Sequence, residues 1–87
     1  MNQQINIKSL VDSAISELEE YSDLNINSYF IGPKSIIDSI DIVRVISTLE
    51  DKIEERGLEG YSIFERIFEN DSLTFSELVE FIEKDIK

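Results

Sequence analysis

Apolar residues recur at steps of three and four through most of this chain, and that spacing decides what it can fold into. Ile7, Leu10, Val11, Ala14, Ile15 and Leu18 share one helical face, with Asp12, Glu17, Glu19 and Glu20 off the stripe as a solvated outer surface. A second helix is predicted over about Ser39–Glu55. Ile42, Ile46, Leu49 and Ile53 form its apolar face and Val43 and Val45 flank it. At about 100° per residue, Asp41, Arg44, Thr48, Asp51, Lys52 and Glu55 fall on the opposite side, joined by Ile40. Gly57 supplies the stop, with Lys52 and Arg56 suitably placed in the last turn.

Two shorter elements follow. Ile63, Phe64, Ile67 and Phe68 predict one face of a third helix of two or three turns, broken by Asn70-Asp71-Ser72. Thr74-Phe75-Ser76-Glu77 has capping-box spacing and opens a fourth helix whose buried face carries Phe75, Leu78, Val79, Ile82 and Ile86. No strand-like alternation competes. Between helices one and two, Ser22–Ile37 is a long loop whose apolar residues (Leu24, Ile26, Tyr29, Phe30, Ile31, Ile36, Ile37) should lie against the core, with Pro33 keeping the stretch before Ile36 extended or turning. The expected fold is all-α: a single domain over 1–87, built as a small antiparallel four-helix bundle.

Composition limits the chemistry. Val, Ile, Leu and Phe make up 31 of 87 residues, enough for a core despite a net charge of −11. With no Cys and no His there is no disulfide framework, no thiolate nucleophile, no Ser-His catalysis and no usual transition-metal ligand set. No Asp-x-Asp-x-Asp-Gly calcium loop or Gly-rich phosphate loop is present, so neither a metal site nor catalysis by this chain is expected. The excess of 19 Asp and Glu over 8 Lys and Arg argues against a nucleic-acid binder and for basic protein partners. No apolar run approaches the roughly 20 residues that span a bilayer, and the first residues lack a signal-peptide pattern. A soluble, cytoplasmic, monomeric protein is the expectation.

The informative segment is Gly32-Pro33-Lys34-Ser35-Ile36-Ile37-Asp38-Ser39-Ile40-Asp41-Ile42-Val43, which sets a serine at the start of a long amphipathic helix between two aspartates. Local chemistry alone reads Asp38 and Ser39 as capping residues and Asp41 as a complement to the helix dipole. Asp71-Ser72-Leu73 repeats the three-letter pattern, but no acidic second helix follows it, and Ser72 reads as a turn or capping residue.

The wider order of elements shifts that weighting. Ile36-Ile37-Asp38-Ser39-Ile40-Asp41, with Leu49-Glu50-Asp51-Lys52-Ile53 further along, resembles the modification motif and its continuation in the acyl carrier protein family, which includes peptidyl and D-alanyl carriers. The resemblance spans essentially the whole chain. It implies that Ser39 bears 4′-phosphopantetheine, transferred from coenzyme A by a phosphopantetheinyl transferase. Asp38 would then lie where that enzyme and its metal work. It further implies docking through the second helix, with Ile40, Asp41, Arg44, Glu50, Asp51, Glu54 and Glu55 as partner-binding residues. The partners would be a loading ligase or acyltransferase and downstream biosynthetic enzymes with basic patches. Arg44 and Ile42 depart from fatty-acid carriers, and Phe30-Ile31-Gly32-Pro33 resembles stand-alone carriers outside core lipid synthesis, so a discrete, specialised acyl or aminoacyl carrier is favoured. The competing reading is an unmodified acidic helical interaction module, an adaptor or a mimic that blocks a basic site.

Overall fold

In the computed structural model of the protein, which describes residues 5–86, the helix starts explain much of the arrangement. Helix α1, Ile7–Glu17, begins at Asn6, whose side chain accepts the Ser9 amide at 3.0 Å, and it buries Ile7, Leu10, Val11 and Ala14. Helix α4, Phe75–Asp85, opens with the predicted capping box: Glu77 N–H donates to Thr74 Oγ1 and Thr74 N–H to Glu77 Oε1. The amides of Phe75 and Ser76 donate to the Ser28 and Ile26 carbonyls, so the α1–α2 loop closes what the box leaves open.

That loop also carries strand β1, Tyr29–Ile31, which pairs antiparallel with β2, Leu73–Thr74, in the register Tyr29↔Thr74 and Ile31↔Leu73 with an irregularity between. Among the described residues four helices are present as expected and account for about half the chain, but the two-stranded sheet departs from an all-α fold. Its physical basis is the loop's apolar content: Phe30 and Ile31 are buried, and Phe30 meets Phe75 with ring centroids 5.2 Å apart. A buried segment must pair its backbone groups, and β2 supplies the partners. Gly32 ends the strand at φ +111°, where an added Cβ would sit 2.5 Å from the Ser72 Cβ.

Helix α2, Ser39–Glu55, is the longest element and ends at Gly57, whose φ of +113° closes the helix as the sequence indicates. Its buried face comprises Asp41, Val45, Ile46, Leu49 and Ile53. Compared with the expectation, this face is turned toward α1: Val45 is buried, Val43 is exposed, and Asp41 comes inside. Helix α3 is shorter than expected, a single turn over Phe64–Ile67. Ile63 and Ile67 face the core while Phe64 and Phe68 are 42% and 47% exposed, stacked edge-to-face at 5.2 Å, so these four residues do not share one face. The core is continuous, with α1 packed on α2 and α4, α2 on α3, and α4 on the small sheet. Its radius of gyration of 12.4 Å is that of a closely packed domain of this length. No helix among the described residues is long and apolar enough to cross a membrane.

Candidate functional site

Ser39 is the first residue of α2, exposed to solvent, and it follows the extended residue Asp38 at φ −64°, ψ 149°. The segment before it is held from inside. Ser35 Oγ donates to the Phe30 carbonyl at 2.8 Å and accepts the Ile37 amide at 3.2 Å, and Ile37 is buried. The chain therefore arrives at Asp38 fixed, and the next three side chains, Asp38, Ser39 and Ile40, all point to water.

Asp38 occupies the N-cap position, yet its carboxylate makes no capping hydrogen bond. Capping accounts for Thr74 and not for Asp38. Among the described residues, no acceptor meets the amides of Ser39, Ile40 or Asp41 and no partner engages the Ser39 hydroxyl, so α2 presents free donors at the positive end of its dipole. Three apolar residues close to Ser39 in the chain, Ile36, Ile40 and Val43, are exposed, Ile40 at 73%.

Asp41 is the main correction among the site residues. It was placed with the exposed docking face, but it is 7% exposed. Tyr21 donates its hydroxyl to Asp41 Oδ2 at 2.9 Å, and Arg44 Nη1 lies 3.5 Å from Oδ1. The reason is the turn of the apolar face toward α1, which carries residue 41 inward where these two groups can meet its charge. Arg44 itself remains exposed, and its positive charge has a local partner in Asp41.

The remaining acids divide by duty. Glu50 is half-buried and its Oε2 accepts the amides of Ile63 and Phe64 at 2.7 and 3.2 Å, capping the start of α3 from the neighbouring helix. Glu54 Oε2 accepts the Gly60 amide at 2.9 Å. These two acids brace the α2–α3 connection, whereas Asp51 and Glu55 are exposed on α2. Ser72 is exposed beside β2, and the helix after it, α4, has its first amides filled by the capping box and loop carbonyls. It offers none of the open donors found at Ser39.

Tyr21 is the site residue that sequence reasoning missed. Besides meeting Asp41, its oxygen accepts the Asp38 amide at 3.1 Å. The Asp38 amide pulls the hydroxyl's pKa down. The Asp41 hydrogen bond, partial burial and the two nearby carboxylates outweigh it, so the group lies above the ordinary tyrosine value and stays protonated at neutral pH. The available signal was one aromatic with a polar tip in the run Glu19-Glu20-Tyr21-Ser22-Asp23 at the foot of α1.

Compared with family models, curated proteins and solved structures, the chain matches none.

Proposed function

We propose that this chain is a carrier protein whose four helices form the antiparallel bundle of the acyl carrier type and whose Ser39 hydroxyl is esterified by 4′-phosphopantetheine. The observation that carries the reading is the state of the α2 start. Ser39 is exposed with its hydroxyl unengaged, Asp38 makes no capping bond, and the three first amides of α2 have no acceptor among the described residues, which would suit an anionic group attached there. These residues fit the group. Its chemistry would be a thiol able to hold acyl or aminoacyl cargo as a thioester, a function that this cysteine-free chain lacks among its own side chains.

The chain's own part is presentation. The open amides of Ser39, Ile40 and Asp41 favour an anion at the helix end, while the exposed Asp38 carboxylate repels it from settling there. Ile36, Ile40 and Val43 give an enzyme an apolar contact beside the attachment point, and Asp51 and Glu55 give it charges further along α2. Such a surface suits weak, fast docking to basic enzymes: a phosphopantetheinyl transferase, a loading ligase or acyltransferase, and the enzymes that consume the cargo.

The test is intact-mass measurement after incubation with coenzyme A and a broad-specificity transferase. The reading requires the mass of one phosphopantetheinyl group to be added. An unchanged mass leaves the unmodified acidic interaction module as the better account.

A further inference from the structure

We propose that Tyr21 is a positioning residue that bridges the Asp38 amide to the Asp41 carboxylate at the start of α2, where a direct bond would be half of a capping box, and that this bridge sets the pose in which Asp38 and Ser39 meet the loading enzyme. The inference rests on the carrier reading above and goes beyond it by assigning a role to a residue twenty positions from the motif's second aspartate.

The same fold contains the comparison that makes the case. At α4 the capping box is direct: the N-cap Thr74 and the N3 residue Glu77 each bond the other's amide, which commits both side chains. At α2 the corresponding residues are Asp38 and Asp41, and no direct bond of either kind is made. Instead the Tyr21 hydroxyl stands between them, accepting the Asp38 amide at 3.1 Å and donating to Asp41 Oδ2 at 2.9 Å. Half of a capping box is thus made through a third residue, and the other half, the N-cap side chain, is released. The Asp38 carboxylate and the three first amides of α2 take no part in this bridge and remain available to something outside the chain.

Each end of this relay is anchored. Tyr21 N–H donates to the Leu18 carbonyl at 3.0 Å in the turn that ends α1, and its ring packs at the edge of the core. At the other end, the exposed Arg44 guanidinium lies 3.5 Å from the second oxygen of Asp41, within ion-pair reach. The relay ties the end of α1 to the start of α2 across the long loop between them, so the orientation of the motif is set by the packing of two helices. A carboxylate buried to this degree is costly unless its oxygens are met. Its burial at position 41 fits a role in orientation better than a role in binding a partner's charge.

The test compares transferase loading of the parent chain, Tyr21→Phe, Asp41→Ala, Asp41→Asn and the Tyr21→Phe/Asp41→Ala double variant, with initial rates taken over a range of carrier concentration. Amide hydrogen exchange is followed on the same proteins. Tyr21→Phe and Asp41→Ala should each lower kcat/KM by roughly ten- to a hundredfold, the scale of a small misplacement of reacting groups. The double variant should be no worse than either single, because both remove one unit. Asp41→Asn keeps an oxygen for the tyrosine hydroxyl and should recover most of the loss. In Tyr21→Phe the Asp38 amide should exchange faster while Ile46 and Leu49 keep their protection, which separates loss of the relay from loss of the fold.

Equal loading by Tyr21→Phe and the parent overturns the inference. So do losses that multiply in the double variant, or an Asp41→Asn as poor as Asp41→Ala, which would make the charge itself the docking element. A parent chain that takes up no group overturns the carrier reading together with this one, whereas a parent that loads beside an unimpaired Tyr21→Phe overturns this one alone.

Discussion

A buried carboxylate is costly unless its charge is met, and at Asp41 the Tyr21 hydroxyl donates to one oxygen while the Arg44 guanidinium lies within ion-pair reach of the other. Gly32 shows the same dependence on a distant partner. Its φ of +111° already disfavours any side chain, and a Cβ there would overlap Ser72 on the opposing strand segment. Gly32→Ala should therefore cost about 1–3 kcal/mol from backbone strain, before the overlap is counted. For a domain of this size that is a fall in melting temperature of several degrees, readable by circular dichroism. Ser72 thus has a structural setting of its own, against the loop that leads to Ser39.

At the scale of elements, the acids of α2 separate by what they hold. Glu50 caps α3 through two amides, so Glu50→Ala should lose about 1–3 kcal/mol of stability. Asp51 makes no such contact, and Asp51→Lys should leave the melting temperature nearly unchanged while weakening transferase loading more than Glu19→Lys does. Equal loading by the Asp51 and Glu19 variants would count against α2 as the docking helix.

Helix α3 is also fastened to the end of α4, where Arg66 forms a two-point ion pair with Asp85 and lies over the Phe81 ring. The Arg66 guanidinium holds the Asp85 carboxyl below the ordinary aspartate range. A depressed folded pKa means that the stabilisation is complete above the unfolded value, about 3.9, and is lost as pH falls through the folded one. The melting-temperature gap between the parent and Asp85→Asn should be present at pH 7 and close in strong acid.

These fastenings explain what was legible beforehand. Helices α1, α2 and α4 were readable because their apolar stripes repeat over several turns, and the α4 start because both halves of its box lie three positions apart. The β1–β2 pair was not, since three residues and two residues carry no period. The length of α3 was misjudged because Ile63 and Ile67 signal a helix face, while what starts this element is Glu50, thirteen residues upstream. Ile40 was correctly read as lying on the charged, exposed side of α2. Asp41 was not, because the group that draws it inward comes from the far side of the loop.

For the whole molecule, charge is the dominant unsatisfied quantity. Nineteen acids face eight bases, and among the described residues ion pairs join only Lys8 to Asp12, Arg44 to Asp41 and Arg66 to Asp85. Most carboxylates repel one another across a domain whose radius of gyration, 12.4 Å, is close to the screening length of about 10 Å at 0.1 M salt. Added sodium chloride, or millimolar magnesium, should therefore raise the melting temperature; a flat or falling response in both titrations would contradict this view of the surface. The same surplus that strains the folded chain suits it to basic enzymes, provided that Ser39 is where they act.

That proviso is tested most directly by site-resolved mass measurement on the parent chain, Ser39→Ala and Ser72→Ala after incubation with coenzyme A and a broad-specificity transferase. The account predicts one added phosphopantetheinyl group on the parent and on Ser72→Ala, located on the peptide containing Ser39, and none on Ser39→Ala. An unmodified parent, or a group that persists on Ser39→Ala, would contradict it.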